Sequence, residues 1–162
     1  MQLKLVLLLF LFYPLSPDSS AVSNGDEVLG IWQTQDNEAK IEIYKSNGVY
    51  NGRIVWLKEP QNAEGLPLKD VKNKNKSLRD REVMGIDIIR GYVFDGHGRW
   101  KKGKIYNPKT GKTYSSQLKI KRGKLEVRGY LRLPMFGKSI TWTRDDYVNW
   151  FIPSVTYFPN HE

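Results

Sequence analysis

Residues 112–130 read KTYSSQLKIKRGKLEVRGY, and this stretch decides the fold class. Tyr114, Ser116, Leu118 and Ile120 alternate with Thr113, Ser115, Gln117 and Lys119. Beyond Arg122-Gly123, Leu125, Val127 and Gly129 alternate with Glu126, Arg128 and Tyr130. A period of two places the two sets on opposite faces of a strand. The Gly in the connection supplies the positive φ of a tight turn. The stretch therefore predicts an antiparallel hairpin with one buried and one wet face.

Working outward, the same punctuation recurs at Asn47-Gly48, Asp95-Gly96 and Thr110-Gly111, between short segments rich in Ile, Val, Tyr, Trp and Thr. Ile140 and Trp142 alternate with Ser139, Thr141 and Thr143. Eight strands are expected, over about 28–36, 40–46, 49–57, 84–95, 98–107, 112–121, 124–132 and 137–144. The long interruption falls between Leu57 and Val83. A meander of hairpins has two exposed edges unless it closes on itself. The expected fold is all-β, an eight-stranded antiparallel up-and-down barrel with a long lid loop. Its interior is either packed or holds one small ligand.

The two ends of the chain differ from this pattern. Lys4 precedes an apolar run from Leu5 to Phe12, followed by Pro14, Pro17 and the small residues Ser19, Ser20 and Ala21. This order predicts a signal peptide over 1–21, cut near Ala21, and an exported, periplasmic or secreted protein. The run is far shorter than the roughly 20 residues of a transmembrane span. The extension 145–162 carries Asp145, Asp146 and Glu162 with no Lys or Arg, and holds Tyr147, Trp150, Phe151, Tyr157 and Phe158. Its aromatics and prolines suggest an ordered strap on the barrel domain, 22–144. With 162 residues, a formal charge of +9 and no cysteine, the chain excludes disulfide scaffolds, thiolate metal sites and cysteine nucleophiles.

Catalytic machinery is sparse. Histidine occurs only at His97, in a turn, and at His161, in the tail, so neither a His-based triad nor a metal cage is expected. Gly111-Lys112-Thr113 ends like a phosphate loop, but Tyr106 stands where that motif needs Gly. No cofactor is implied. The functional expectation rests on the long loop: Lys69 to Arg81 holds six cations and two anions. Arg79 and Arg81, two apart, share a face of an extended backbone and suit a carboxylate or phosphate. The same residues suit pairing with Asp70 and Asp80, which would pin the loop to the barrel as a lid; pinning is the favoured reading, and both can hold together. The basic residues between strands admit a nucleic-acid reading, but export favours an anionic envelope surface as counter-charge.

Leu29-Gly30-Ile31-Trp32 resembles the Gly-x-Trp opening of lipocalin-type barrels, in which a late Arg packs across the Trp; Trp142 and Arg144 stand where that pattern implies. Further motifs are Gly52-Arg53-Ile54-Val55-Trp56-Leu57, Asp70-x-x-Asn73, Leu78-Arg79-Asp80-Arg81, Trp100-x-x-Gly103-x-Ile105-Tyr106-Asn107-Pro108, Gly111-Lys112-Thr113-Tyr114 and Arg128-Gly129-Tyr130. In this order they resemble the exported bacterial domain-of-unknown-function family 2147, a lipocalin-like (calycin) barrel. Asn73-Lys74-Asn75 replaces that family's usual Asn-Pro-Asp, and Asn107-Pro108 its Asp-Pro, so two carboxylates of the pattern are missing.

The resemblance and the cationic lid together imply binding of a small amphipathic or anionic ligand at the open end. Arg79 and Arg81 would meet its acidic group, and Trp56, Trp100 and Tyr130 would line its apolar part. Asp70, Asn73, Tyr106, Tyr114 and Arg128 join them as candidates from the motifs. Two other readings stay open. One is a packed barrel acting as an envelope structural or interaction module. The other is an enzyme on an envelope lipid or glycan, using Asp70 with a Tyr or Lys.

Overall fold

A computed structural model describes residues 25–145. The expected signal peptide and all of the C-terminal extension except Asp145 lie outside the described residues. The strands are β1 (Gly30–Gln33), β2 (Ala39–Ser46), β3 (Val49–Leu57), β4 (Asp87–Phe94), β5 (Arg99–Asn107), β6 (Lys112–Lys121), β7 (Lys124–Tyr130) and β8 (Lys138–Arg144). Each pairs antiparallel with the next, and β8 returns to β1 through Trp32↔Arg144 and Gln33↔Thr143, closing the barrel. The eight expected strands are all present.

Turns 47–48, 95–98 and 122–123 gather at one end, with a short 3-10 turn, Asp26–Val28, lying across it. This is the closed end. Trp32, Tyr50, Trp100 and Trp142 are buried there with Leu118 and Leu125. Trp100 meets Tyr50 edge-on at 6.3 Å and Phe94 at 5.3 Å. Buried indoles need a partner for their N–H. Trp32 Nε1 donates to the Val28 carbonyl at 2.8 Å, and Trp100 Nε1 donates to that of Gly25 at 3.0 Å. The capping turn is thereby tied to the core.

Arg144 completes this end. Its guanidinium lies 4.2 Å from the Trp32 ring centroid and donates to the carbonyls of Leu29 (2.7 Å) and Glu27 (2.5 Å). Gly30 explains the first position of Gly-x-Trp: at φ +115°, a Cβ there would stand 2.9 Å from Arg144 Nη1. Although Arg144 is solvent-exposed on its outer side, it stacks on Trp32 as the resemblance implies.

β-Bulges then decide which residues face inward. A slip by one residue sends every later side chain to the opposite face. In β3, Tyr50, Gly52 and Ile54 are buried, but the register shifts opposite Lys40/Ile41, so Trp56 pairs with Lys40 and is exposed. In β5 the shift between Trp100 and Gly103, with Lys102 at φ +63°, turns Gly103 and Ile105 inward and Tyr106 outward. In β4, Ile89 and Tyr92 are both buried across the Arg90-Gly91 step.

Candidate functional site: the open end and its lid

The open end carries the connections 34–38, 58–86, 108–111 and 131–137. The longest, 58–86, is the lid. Two isolated bridges, Gln61↔Pro67 and Lys69↔Glu82, fold it on itself. The Asp70 amide donates to the Arg81 carbonyl at 3.0 Å, and the Val83 amide to that of Leu68 at 2.8 Å. Gly111 receives the lid at the rim, since a Cβ there would stand 1.8 Å from the Lys72 carbonyl oxygen.

Asp70 is the hub. Its carboxylate is fully buried and accepts from Tyr106 Oη (2.5 Å), Asn73 Nδ2 (2.7 Å), and Arg81 Nε and Nη2 (3.0 and 2.7 Å). Burial works to raise its pKa, but hydrogen bonds from Tyr106, Asn73 and Arg81 outweigh burial and lower it. Burial and the Asp70 partner push the Tyr106 hydroxyl up to about 12. The Arg81 guanidinium also lies 5.9 Å from the Tyr106 ring. This is a clasp holding the lid to β5. A carboxylate held ionised and donor-saturated is a poor general acid.

The two arginines therefore do different work from a shared anion clamp. Arg79 follows a 3-10 turn, Lys76–Leu78, rather than extended chain, and its Nε donates to the Asn73 carbonyl at 2.8 Å. Asp80 is exposed, with Lys69 Nζ at 3.8 Å. The pinning alternative describes Arg81 with Asp70.

The remaining candidates separate by depth. Trp100 is core at the closed end, away from the lid. Trp56 lies on the outer wall, with Lys40 Nζ 5.5 Å from its ring centroid. Arg128 binds the β7–β8 loop, donating to the carbonyls of Pro134 (2.8 Å) and Met135 (3.2 Å) and to Ser139 Oγ (3.0 Å). Tyr114 and Tyr130 are half-buried near the mouth, and Gly129 faces inward beside Tyr114 and Ile105.

Two residues missed by the sequence reading form the floor of that mouth. Tyr92 and Ser116 are fully buried, and neither hydroxyl makes a hydrogen bond of normal geometry. They are neighbours: burial raises the Tyr92 pKa, with Ser116 acting against the rise and Tyr130 adding to it. The Tyr92 ring lies across Gly103, within 2.3 Å of where a Cβ would stand. Ser116 was legible as the hydroxyl in the inward stripe Tyr114, Ser116, Leu118, Ile120. Tyr92 gave no such signal, because the β4 bulge sets its face. A separate cleft of about 210 Å³ lies on the outer wall, between Arg99, Lys119 and Glu126.

Among the described residues, no helix is long and apolar enough to cross a membrane, and no group of three or more His, Asp or Glu is placed to hold a metal ion. Comparison with curated proteins yields no match. Among solved structures, protein HP1028 from the human pathogen Helicobacter pylori, described as belonging to the lipocalin family, is similar at 28 % identity. The likeness covers 74 % of this chain and 85 % of that one, with a TM-score of 0.65. The family described as "Uncharacterized protein conserved in bacteria (DUF2147)" matches residues 30–144, from the strand bearing Gly30 to the Arg that closes the barrel, and the chain belongs to it.

Proposed function

We propose that this protein is an exported, non-enzymatic binding barrel of the cell envelope that holds a small, largely apolar ligand with one polar group beneath the lid. The observation that carries the reading is the pair of fully buried hydroxyls, Tyr92 and Ser116, which lie within reach of each other under the mouth yet make no hydrogen bond of normal geometry. A buried polar group left unpaired costs about 1–3 kcal/mol, so the site gains by receiving a ligand oxygen or nitrogen between them. Ile105 and Tyr114 supply the apolar flank. The closed half is filled by Trp32, Trp100 and Trp142, so long chains are excluded and the ligand is short. Arg81 is held by Asp70, which makes the lid a cover rather than the anion receptor.

The filled closed half also favours the packed interaction module, and one experiment separates the two. Native mass spectrometry of protein recovered from its own envelope should show a small bound mass. Short fatty alcohols and acids should raise the melting temperature of wild type, with the gain falling as chain length grows. Tyr92→Phe with Ser116→Ala should abolish that gain. Protein that is always empty and insensitive to every chain length would leave the interaction module.

A further inference from the structure

The exposed apolar side chains are not scattered. Among the described residues, the exposed large hydrophobics all lie at the open end, with the exception of Val93. The densest group is the β7–β8 loop, where Leu131, Met135 and Phe136 are 79 %, 72 % and 82 % exposed. Such a cluster marks an interaction surface. It is also braced outward. Arg128 holds the carbonyls of Pro134 and Met135, and the Gly137 amide donates to the Pro134 carbonyl, so the 3-10 turn Pro134–Phe136 is fixed with its side chains in water.

Charge selects the partner. From Val127 to Arg144 there is no Asp or Glu, while Arg132 and Lys138 flank the apolar tip. Across the mouth, four strands around the barrel, the lid 58–86 carries seven Lys and Arg against five Asp and Glu, with Lys72, Lys74 and Lys76 exposed. Apolar side chains ringed by cations suit the boundary between headgroups and acyl chains of an anionic bilayer. We propose that loop 131–136 is a membrane-docking wedge that seats the open end of the barrel on an anionic phospholipid surface. The inference stands on the surface alone and does not require the interior to hold a ligand.

The cysteine-free sequence makes the test site-specific. Protein recovered after export, with the leader 1–21 removed, carrying Met135→Cys and labelled with an environment-sensitive fluorophore, is mixed with vesicles of phosphatidylglycerol in phosphatidylcholine. Val93→Cys, on the outer wall, serves as the control. The label at 135 should shift to the blue and be quenched by brominated acyl chains, while the label at 93 stays in water. Leu133→Ser with Phe136→Ser should raise the lipid needed for half-maximal binding by about tenfold or more, at an unchanged melting temperature. Added salt should weaken binding. A label at 135 that stays in water, equal binding to pure phosphatidylcholine, or equal quenching at 93 and 135 overturns the proposal. So does a lipid-free blue shift that grows with protein concentration, because a second copy would then cover the loop.

Discussion

Each end of the barrel is fastened by an arginine against an aromatic ring, yet the two fastenings have different chemistry. At the closed end Arg144 stacks on Trp32 and donates to neutral carbonyls of Leu29 and Glu27. At the open end Arg81 lies near Tyr106 and pairs with the buried carboxylate of Asp70. The first clasp seals a dense aromatic core, and its acceptors are backbone carbonyls. The second holds a lid that packs Val83, Ile86 and Leu68 against the core, and it depends on one ionised carboxylate. A barrel can thus be permanently shut at one end and conditionally covered at the other.

The largest expected effect tests the claim that the closed end carries the stability. Trp100→Ala removes a buried indole from contact with Tyr50 and Phe94 and should cost about 3–5 kcal/mol. Chemical denaturation would read this as an earlier midpoint for the whole barrel. An equal loss from lid variants, or almost none from Trp100→Ala, would break the contrast. Asp70→Asn should cost somewhat less, about 2–3 kcal/mol, because it takes the charge from a buried pair and leaves one acceptor oxygen where two served Tyr106 on one side and Asn73 and Arg81 on the other. That loss should appear first as hydrogen exchange in residues 68–83, with β6 and β7 amides still protected.

Acid should open the same clasp without mutation. The folded pKa of Asp70 lies below the ordinary 3.8. A depressed carboxylate contributes stability that is full above the unfolded pKa and is lost as pH falls through 3.8 toward the folded value. Protection factors at Asp70 and Val83, corrected for intrinsic exchange, should therefore fall below about pH 4. Those of β1 beside Arg144 should hold. In Asp70→Asn the lid should lose this pH dependence altogether.

The fold was legible where alternation and turn chemistry act locally. The alternation predicts β6 at its observed bounds and β7 from its first residue but two residues too long, and Gly30, Trp32 and Arg144 predict the seam. The site was less legible because orientation is integrated along each strand. One bulge opposite Lys40/Ile41 turns Trp56 out of the sequence Tyr50, Gly52, Ile54, and another at Lys102 turns Tyr106 toward the lid. Alternation also says nothing of depth, so Trp100 looks the same in sequence whether it lines a cavity or fills the floor. Asp70, Asn73 and Arg81 were visible as a charge cluster, but their pairing rests on how the lid folds across β5.

The smallest effect concerns Arg144 and sharpens the contrast from the closed side. Arg144→Ala removes a cation–π contact and two charge-assisted donations, but the side chain is exposed on its outer face, so the loss should be only about 1 kcal/mol. It should appear as a lower melting temperature, with exchange quickened at the β1–β8 seam and the lid unaffected. Arg144→Lys keeps the positive charge and the packing of the stem on Trp32. A lysine has a single rotatable ammonium instead of a planar fork, so it can stack less well and cannot hold both carbonyls in the same geometry. It should therefore recover part of the loss and leave any ligand profile unchanged. Full recovery by Lys would mean that charge alone closes the barrel. No recovery would assign closure to the planar fork, and altered ligand binding would join the two ends that the geometry keeps apart.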